Sequence, residues 1–283
     1  MQTTVVVPAH NEENVIGHAL RGILEAGERE VDVIVVANGC TDRTVERARA
    51  AGNRVRVVEV AEASKIGALN AGDDAAESFP IAFVDADVVV SGNDLVALAR
   101  RLDASPQALV ASPAMTVLPS RSWWVRQYYR VWALTDYRTS GHIGSGVYML
   151  SAAGRARFDR FPEVIADDLF VQRLFSTQER LTPSDLAFAV RAPGSVAALI
   201  GRNTRIAAGN RQLAAAFPEL APPSGSAGAA SLLKRALRRP TLWPGVAVYT
   251  FVYLTAHQRA KALLRRRQAI GWTRDESTRA AAA

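Results

Sequence analysis

The feature that most constrains this chain is the rhythm of its first 110 residues, where short β-branched or apolar runs alternate with segments of helical spacing. Thr4 to Val7 is such a run and stops at Pro8; Glu12 to Glu25 then sets Val15, Ala19, Ile23 and Leu24 on one helical face. Val31 to Val36 is apolar almost throughout, as a strand covered on both sides would be. A helix capped by Asp42 and running through Ala50 follows, then a strand over Val55 to Val60 and a helix over Lys65 to Ala76. Ile81 to Val84 ends at Asp85, and Asp94 to Leu102 is helical again. Such a succession predicts an α/β fold, a mostly parallel sheet with helices on both faces. After Ser105 the spacing predicts a strand over Val110 to Val117, an aromatic helix over Trp123 to Tyr137, a turn over Gly141 to Gly146, a strand over Val147 to Leu150 and a helix over Asp167 to Phe175. Pro218 to Gly228 reads as a linker, which divides the chain into a catalytic domain, 1–217, and a C-terminal helical extension, 218–283.

Composition narrows the function. With 283 residues, 49% of them hydrophobic, the chain can bury a full core. Its single cysteine, Cys40, excludes an internal disulfide and a multi-cysteine zinc site, and suits a reducing compartment. Cytoplasmic residence, or the inner face of the cell membrane, is the expectation; Met1-Gln2-Thr3-Thr4 supplies no basic n-region for a signal peptide. The net charge of +7 is unevenly placed: residues 191–283 hold 15 Lys and Arg against 3 Asp and Glu, a net of +12, so residues 1–190, with 19 against 24, carry −5. An acidic body without a recognition motif argues against a nucleic-acid partner. The basic third suits anionic lipid or a phosphorylated substrate instead.

In parallel α/β sheets, ligands sit beyond the carboxyl ends of the strands. Three polar stretches fall there: Pro8-Ala9-His10-Asn11-Glu12-Glu13, Asn38-Gly39-Cys40-Thr41-Asp42 and Asp85-Ala86-Asp87. Each alone can be a helix cap; together they outline one cleft. Strand periodicity points Asp85 and Asp87 the same way, and two such carboxylates call for a cation. Hard oxygen donors in small number suit Mg²⁺ or Mn²⁺ bridging to a diphosphate.

The stretches VVVPAHNEE (5–13), VVANGCTDRT (35–44), KIGALNAG (65–72), VDAD (84–87), GSGVYML (144–150) and ADDLF (166–170) occur in the order found in family 2 glycosyltransferases, and the chain resembles that family over about residues 4–175. The resemblance implies a GT-A (Rossmann-like) fold and inverting, metal-dependent transfer of a sugar from a nucleotide-sugar donor, UDP-linked by family frequency with GDP open. It implies that Pro8, Ala9, His10, Asn11, Glu12, Asn38 and Asp42 cradle base and ribose. Lys65, Gly67 and Asn70 would close over the nucleotide, with Asp85 and Ala86 also binding it and Asp85 and Asp87 on the metal that neutralises the leaving diphosphate. Asp167-Asp168 matches the pair holding the catalytic base, with Asp168 favoured. Where the family carries two acids, this chain has Ala37-Asn38.

On the acceptor side stand His142, Gly144 and Ser145 in the glycine turn, and Arg202 and Arg205, whose guanidinium forks suit a pyrophosphate. The aromatic cluster of Trp123, Trp124, Tyr128, Tyr129 and Trp132 suits core packing or stacking on an acceptor sugar. The acceptor itself, a glycan, a lipid-linked group or a small molecule, stays open. The chain lacks the Gln-x-x-Arg-Trp of processive synthases. A sugar nucleotidyltransferase would need a glycine-rich, arginine-bearing first loop, and a non-catalytic sugar-binding relative would not need Asp85, Asp87 and Asp168. Finally, an apolar segment, 242–256, lies between the basic stretch 234–239 and a basic helix, 257–267. It is short for a bilayer span, and peripheral membrane contact through 234–267, packing on the sheet and a homodimer are its three uses.

Overall fold

The computed structural model of the chain describes residues 2–28, 30–135, 143–220, 232, 234–236 and 238–266. Its first half follows the expected rhythm: β1 (Thr3–Ala9), α1 (Ile16–Ile23), β2 (Val31–Asn38), α2 (Thr44–Arg49), β3 (Val55–Val60), α3 (Lys65–Asp74), β4 (Ile81–Val84), β5 (Val89–Val90) and α4 (Gly92–Asp103). Then come β6 (Val110–Ala111), β7 (Ala114–Leu118), α5 (Trp123–Trp132), β8 (Val147–Leu150), α6 (Ala152–Arg155), α7 (Asp167–Leu174), β9 (Arg180–Leu181), β10 (Ala187–Arg191), α8 (Val196–Ala216) and α9 (Trp243–Arg265).

The main sheet has the order β3-β2-β1-β4-β8-β6-β9. Its first four strands are parallel, while β8 runs antiparallel to both β4 and β6. Successive side chains of a strand point to opposite faces, and both faces are buried. Val5, Val7, Val33, Val35, Ala82 and Val84 pack with Ile16, Leu20, Leu95 and Leu98 of α1 and α4. Val6, Ile34, Val36, Ile81 and Phe83 pack with Ile66 and Leu69 of α3 and with Phe170 and Val171 of α7. A second sheet, β5-β10-β7, lies beyond the turn that follows β4.

Several expectations change in detail. Pro8 does not end β1, which pairs with β2 through Ala9. The helix expected from Glu12 starts at Ile16, because Asn11 to Glu13 are held by the loop after β2. The strand expected over Val110 to Val117 is two strands in different sheets, broken at Ser112-Pro113. Proline has no N–H to give a ladder, and the Ser112 hydroxyl turns to the Val147 carbonyl at 2.8 Å. The aromatic helix stops at Trp132; Tyr137, Gly141, His142 and the linker beyond Leu220 lie outside the described residues. The apolar segment 242–256 and the basic segment after it form one continuous helix, α9, while the basic stretch 234–239 lies outside it. It packs on α5 and α8 through Val248 and Val252, each worth about 1.5–3 kcal/mol when fully buried. Among the described residues no helix is long and apolar enough to cross a membrane.

Candidate active site

The parallel register aligns Pro8 with Val36, Ala9 with Ala37, and Val6 with Phe83, so the loops after β1, β2 and β4 leave the same edge of the sheet. The first two are stitched together. Asn11, at φ +52°, accepts the Thr41 N–H on its Oδ1 at 2.7 Å. Glu12 N–H donates to Thr44 Oγ1 (2.7 Å) and Glu13 N–H to Asp42 Oδ2 (3.1 Å). Asp42 Oδ1 also accepts the Thr44 N–H at 3.0 Å, but the N-cap of α2 is Arg43 and no side-chain cap bond is made, so Asp42 stands one residue ahead of the cap it was expected to be. His10 Nδ1 lies 2.6 Å from the Asn38 carbonyl. The Asn38 side chain is buried and donates its amide to Ala9 O at 2.9 Å; its Oδ1 has no hydrogen-bond partner among the described residues. Burial lifts the Cys40 thiol above its ordinary range, and its Sγ donates to Ala9 O. Pro8 and Ala9 are buried strand residues, and the loop they lead into is hydrogen-bonded to the loop after β2.

The second half of the site converges on Lys65, the first residue of α3. Its Nζ is 2.9 Å from Asp85 Oδ1 and 3.0 Å from Asp167 Oδ1. Ser64 caps the helix by accepting the Gly67 N–H, which orients this first turn. Burial pulls the Lys65 ammonium down, but the carboxylates of Asp167, Asp85 and Asp168 outweigh it and hold the group well above the ordinary lysine range. Asp167 is 3% exposed. Burial pushes its carboxyl up, Lys65 opposes that, and the charges of Asp168 and Asp85 add to it.

Asp168, next along α7, is half-buried and oriented differently. Its Oδ2 accepts the Ser145 N–H at 2.7 Å and its Oδ1 the Leu169 N–H at 2.8 Å. The loop that supplies Ser145 needs its two glycines. Gly144 has φ +121° and Gly146 φ +109°, a region that side chains rarely enter. A Cβ on Gly144 would lie 2.9 Å from Asp168 Oδ2, and one on Gly146 2.8 Å from Val88 Cγ1 and 3.2 Å from Asp85 Oδ2. The Asp85 N–H donates to Gly146 O at 2.8 Å, joining the acidic turn to the same loop.

Asp85-Ala86-Asp87 is not a continuation of β4. The chain turns after Val84, with Val88 N–H donating to Asp85 O at 3.2 Å, so strand periodicity does not set the directions of the two carboxylates. Ala86 is buried in that turn, and Asp85 and Asp87 are half-buried. Among the described residues no group of three His, Cys, Asp or Glu is placed to hold a cation. Asp85 and Asp87 are hard oxygen donors of the kind Mg²⁺ or Mn²⁺ takes, and the Asp85 carboxylate is ion-paired to Lys65.

Other expected residues make contacts within the chain. The Asn70 amide clamps the main chain of Phe161, accepting its N–H at 2.9 Å and donating to its carbonyl at 3.2 Å. Arg202 donates to Tyr129 Oη of α5 at 3.0 Å, and Arg205 is half-buried on the same helix, α8. Tyr148 belongs to the site without being a candidate in the sequence, where its place within GSGVYML is its one signal. It is 2% exposed on β8 and stacks on Phe83 with ring centres 5.2 Å apart, and its hydroxyl has no partner among the described residues. Burial, together with Asp167, Asp85 and Asp168, drives its phenol far above the ordinary range, so it stays protonated.

Three solved structures share the fold. A mannosyltransferase from Pyrobaculum calidifontis in complex with GDP-Man and Mn²⁺ has TM-score 0.58 and 21% identity, covering 96% of this chain and 76% of its own. TarS from S. aureus in complex with UDP-GlcNAc has TM-score 0.56 and 17% identity, covering 95% and 93%. Glucosyl-3-phosphoglycerate synthase from Mycobacterium tuberculosis, with Mn²⁺, UDP and glucosyl-3-phosphoglycerate, has TM-score 0.57 and 21% identity, covering 79% and 82%. The 4,4'-diaponeurosporenoate glycosyltransferase of Staphylococcus aureus is 42% identical over 97 residues, 33% of this chain; the match spans 26% of that relative's length. A family model, glycosyl transferase family 2, matches residues 4–160, from the first strand through the acidic turn and the glycine loop. By that match this chain belongs to glycosyl transferase family 2, with the GT-A architecture of its structural neighbours.

Proposed function

We propose that the chain transfers a sugar, with inversion, from a nucleoside-diphosphate donor to an acceptor hydroxyl or phosphate, and that residues 1–217 form the catalytic unit with 218–283 as its extension. The observation that carries this reading is the division of labour between Asp167 and Asp168. Asp167 is buried and ion-paired to Lys65, so it serves as a fixed counter-charge. Asp168 is half-buried, with each oxygen oriented by one backbone N–H, which leaves it lone pairs for an acceptor. Inversion needs one such base. The acceptor oxygen attacks the anomeric carbon, its proton passes to Asp168, and the bond to the diphosphate breaks on the opposite face.

Lys65 stands beside Asp85, where its ammonium can take up leaving-group charge. When bound to Asp85 and Asp87, a divalent cation would supply further neutralisation of the diphosphate. The stitched loops at 8–13 and 38–44 would hold base and ribose. UDP is the favoured nucleotide, since two structural neighbours were solved with UDP or a UDP-sugar; the GDP-Man complex of the third keeps GDP-sugars as the second choice.

A thermal-shift panel of UDP, GDP and other nucleoside diphosphates, with and without Mn²⁺, tests this directly. A ligand at 100 times its Kd adds about 2.7 kcal/mol to stability. We expect UDP to raise the melting temperature only with Mn²⁺, and Asp87→Ala to remove that dependence. If no diphosphate shifted the transition with or without the cation, the donor reading would be wrong.

A further inference from the structure

Helices α5 and α9 pack antiparallel. Tyr128 stacks on Tyr249 with ring centres 5.2 Å apart, Val131 clusters with Leu242, and Val125 clusters with Val248 and Val252. The amino end of α5 is thereby level with the middle of α9. Large hydrophobic side chains stand in solvent on this pair: Trp123 and Trp124 on α5, and Trp243, Phe251, Tyr253 and Leu254 on α9, each 45–57% exposed. The two tryptophans of α5 are therefore not core residues. The packed face of α9 is already used by Val248, Val252, Ala256 and Ala260.

At helical spacing the outward stripe runs from Trp243 and Leu254 to Lys261 and Arg265, both exposed. Neither helix contains a carboxylate, and Glu219 is the sole acidic residue from Arg191 to Arg266. A second copy of the chain would meet this stripe with the same cations, which disfavours self-association. Anionic headgroups complement it, and tryptophan, tyrosine and long basic side chains partition to that depth of a bilayer. With no described helix able to span a membrane, the contact lies on the surface.

We propose that the exposed face of the α5–α9 pair docks on an anionic bilayer surface, the aromatic side chains entering the headgroup layer while Lys261 and Arg265 meet its phosphates. The docking is independent of the donor chemistry. It narrows the expectation for 234–267 to one outward stripe, joined by two tryptophans of α5.

The test is co-sedimentation of the full chain with vesicles of phosphatidylcholine alone and of phosphatidylcholine mixed with phosphatidylglycerol. Binding is expected on the anionic vesicles only, and should weaken with salt. Lys261→Gln with Arg265→Gln should lower partitioning about tenfold or more, from the typical contribution of a basic residue near such a surface. Phe251→Ser with Leu254→Ser should lower it comparably while leaving the melting temperature in place, because both side chains are exposed. Absence of binding to anionic vesicles, or binding that neither pair alters, would overturn the proposal. So would a dimer in light scattering that the serine pair dissociates, which would make a second copy the occupant.

Discussion

Replacing Lys65 by methionine removes the cation that bridges Asp85 and Asp167 while keeping most of the side-chain volume. Breaking a buried ion pair by deleting one partner costs about 3–5 kcal/mol. Here the lower figure applies, because 25% of the Lys65 side chain and 34% of that of Asp85 still meet water. A loss of about 3 kcal/mol lowers the melting temperature of a chain this size by about 6–12 °C. The loss should also depend on pH. Burial already raises the Asp167 carboxyl above its unfolded value, and without Lys65 to oppose it the rise is larger. A carboxyl raised in the native state keeps its proton while the unfolded chain gives its own up, so stability falls as pH climbs from the unfolded pKa to the folded one. The parent shares this fall up to its own folded value of about 6, so the deficit of the variant opens above that pH and should be larger at pH 8 than at pH 5, as urea unfolding at the two pH values would measure. Adding Asp167→Asn to Lys65→Met should restore more than half of the loss at pH 8. An equal deficit at both pH values, or none at pH 8, would refute the assignment of Asp167 as the counter-charge of Lys65.

Two further outcomes concern the transfer step. Asp168→Asn should leave nucleotide-dependent thermal shifts intact and lower kcat by about 10²–10⁴-fold, the usual contribution of a general base; near-normal turnover would move the base elsewhere. Gly144→Ala should lower both the melting temperature and turnover, since the new Cβ would meet Asp168 at 2.9 Å from a backbone at φ +121°; unchanged kinetics would show that the loop yields without disturbing Asp168.

The parts of the fold legible in the sequence are those set by local pattern. Val55–Val60, Ile81–Val84 and Val147–Leu150 are strands with the bounds their apolar runs suggest. What stayed hidden depends on partners distant in the chain. Ala187–Arg191 alternates for only five residues and becomes a strand by pairing with β5 and β7. The late start of α1 depends on a loop about 30 residues away. The site divides likewise. The Asp pairs and the two glycines were readable as motifs, whereas Lys65 bridging Asp85 to Asp167 is a tertiary event. Asn70 has an amide that suits a nucleotide, yet it serves Phe161, 91 residues on.

The position of β8 has a consequence for how the chain folds. β4 and β6 are close in sequence but never pair; β8, made from residues 147–150, is inserted between them. Until that insertion, β6 has no neighbour on its β4 side, and the acidic turn is apart from the glycine loop. The Asp85 amide, bonded to Gly146 O, is thus a reporter of the insertion. Non-local pairing of this kind is slow to form, so the edge that holds the candidate site is completed after the four-stranded parallel half can already exist.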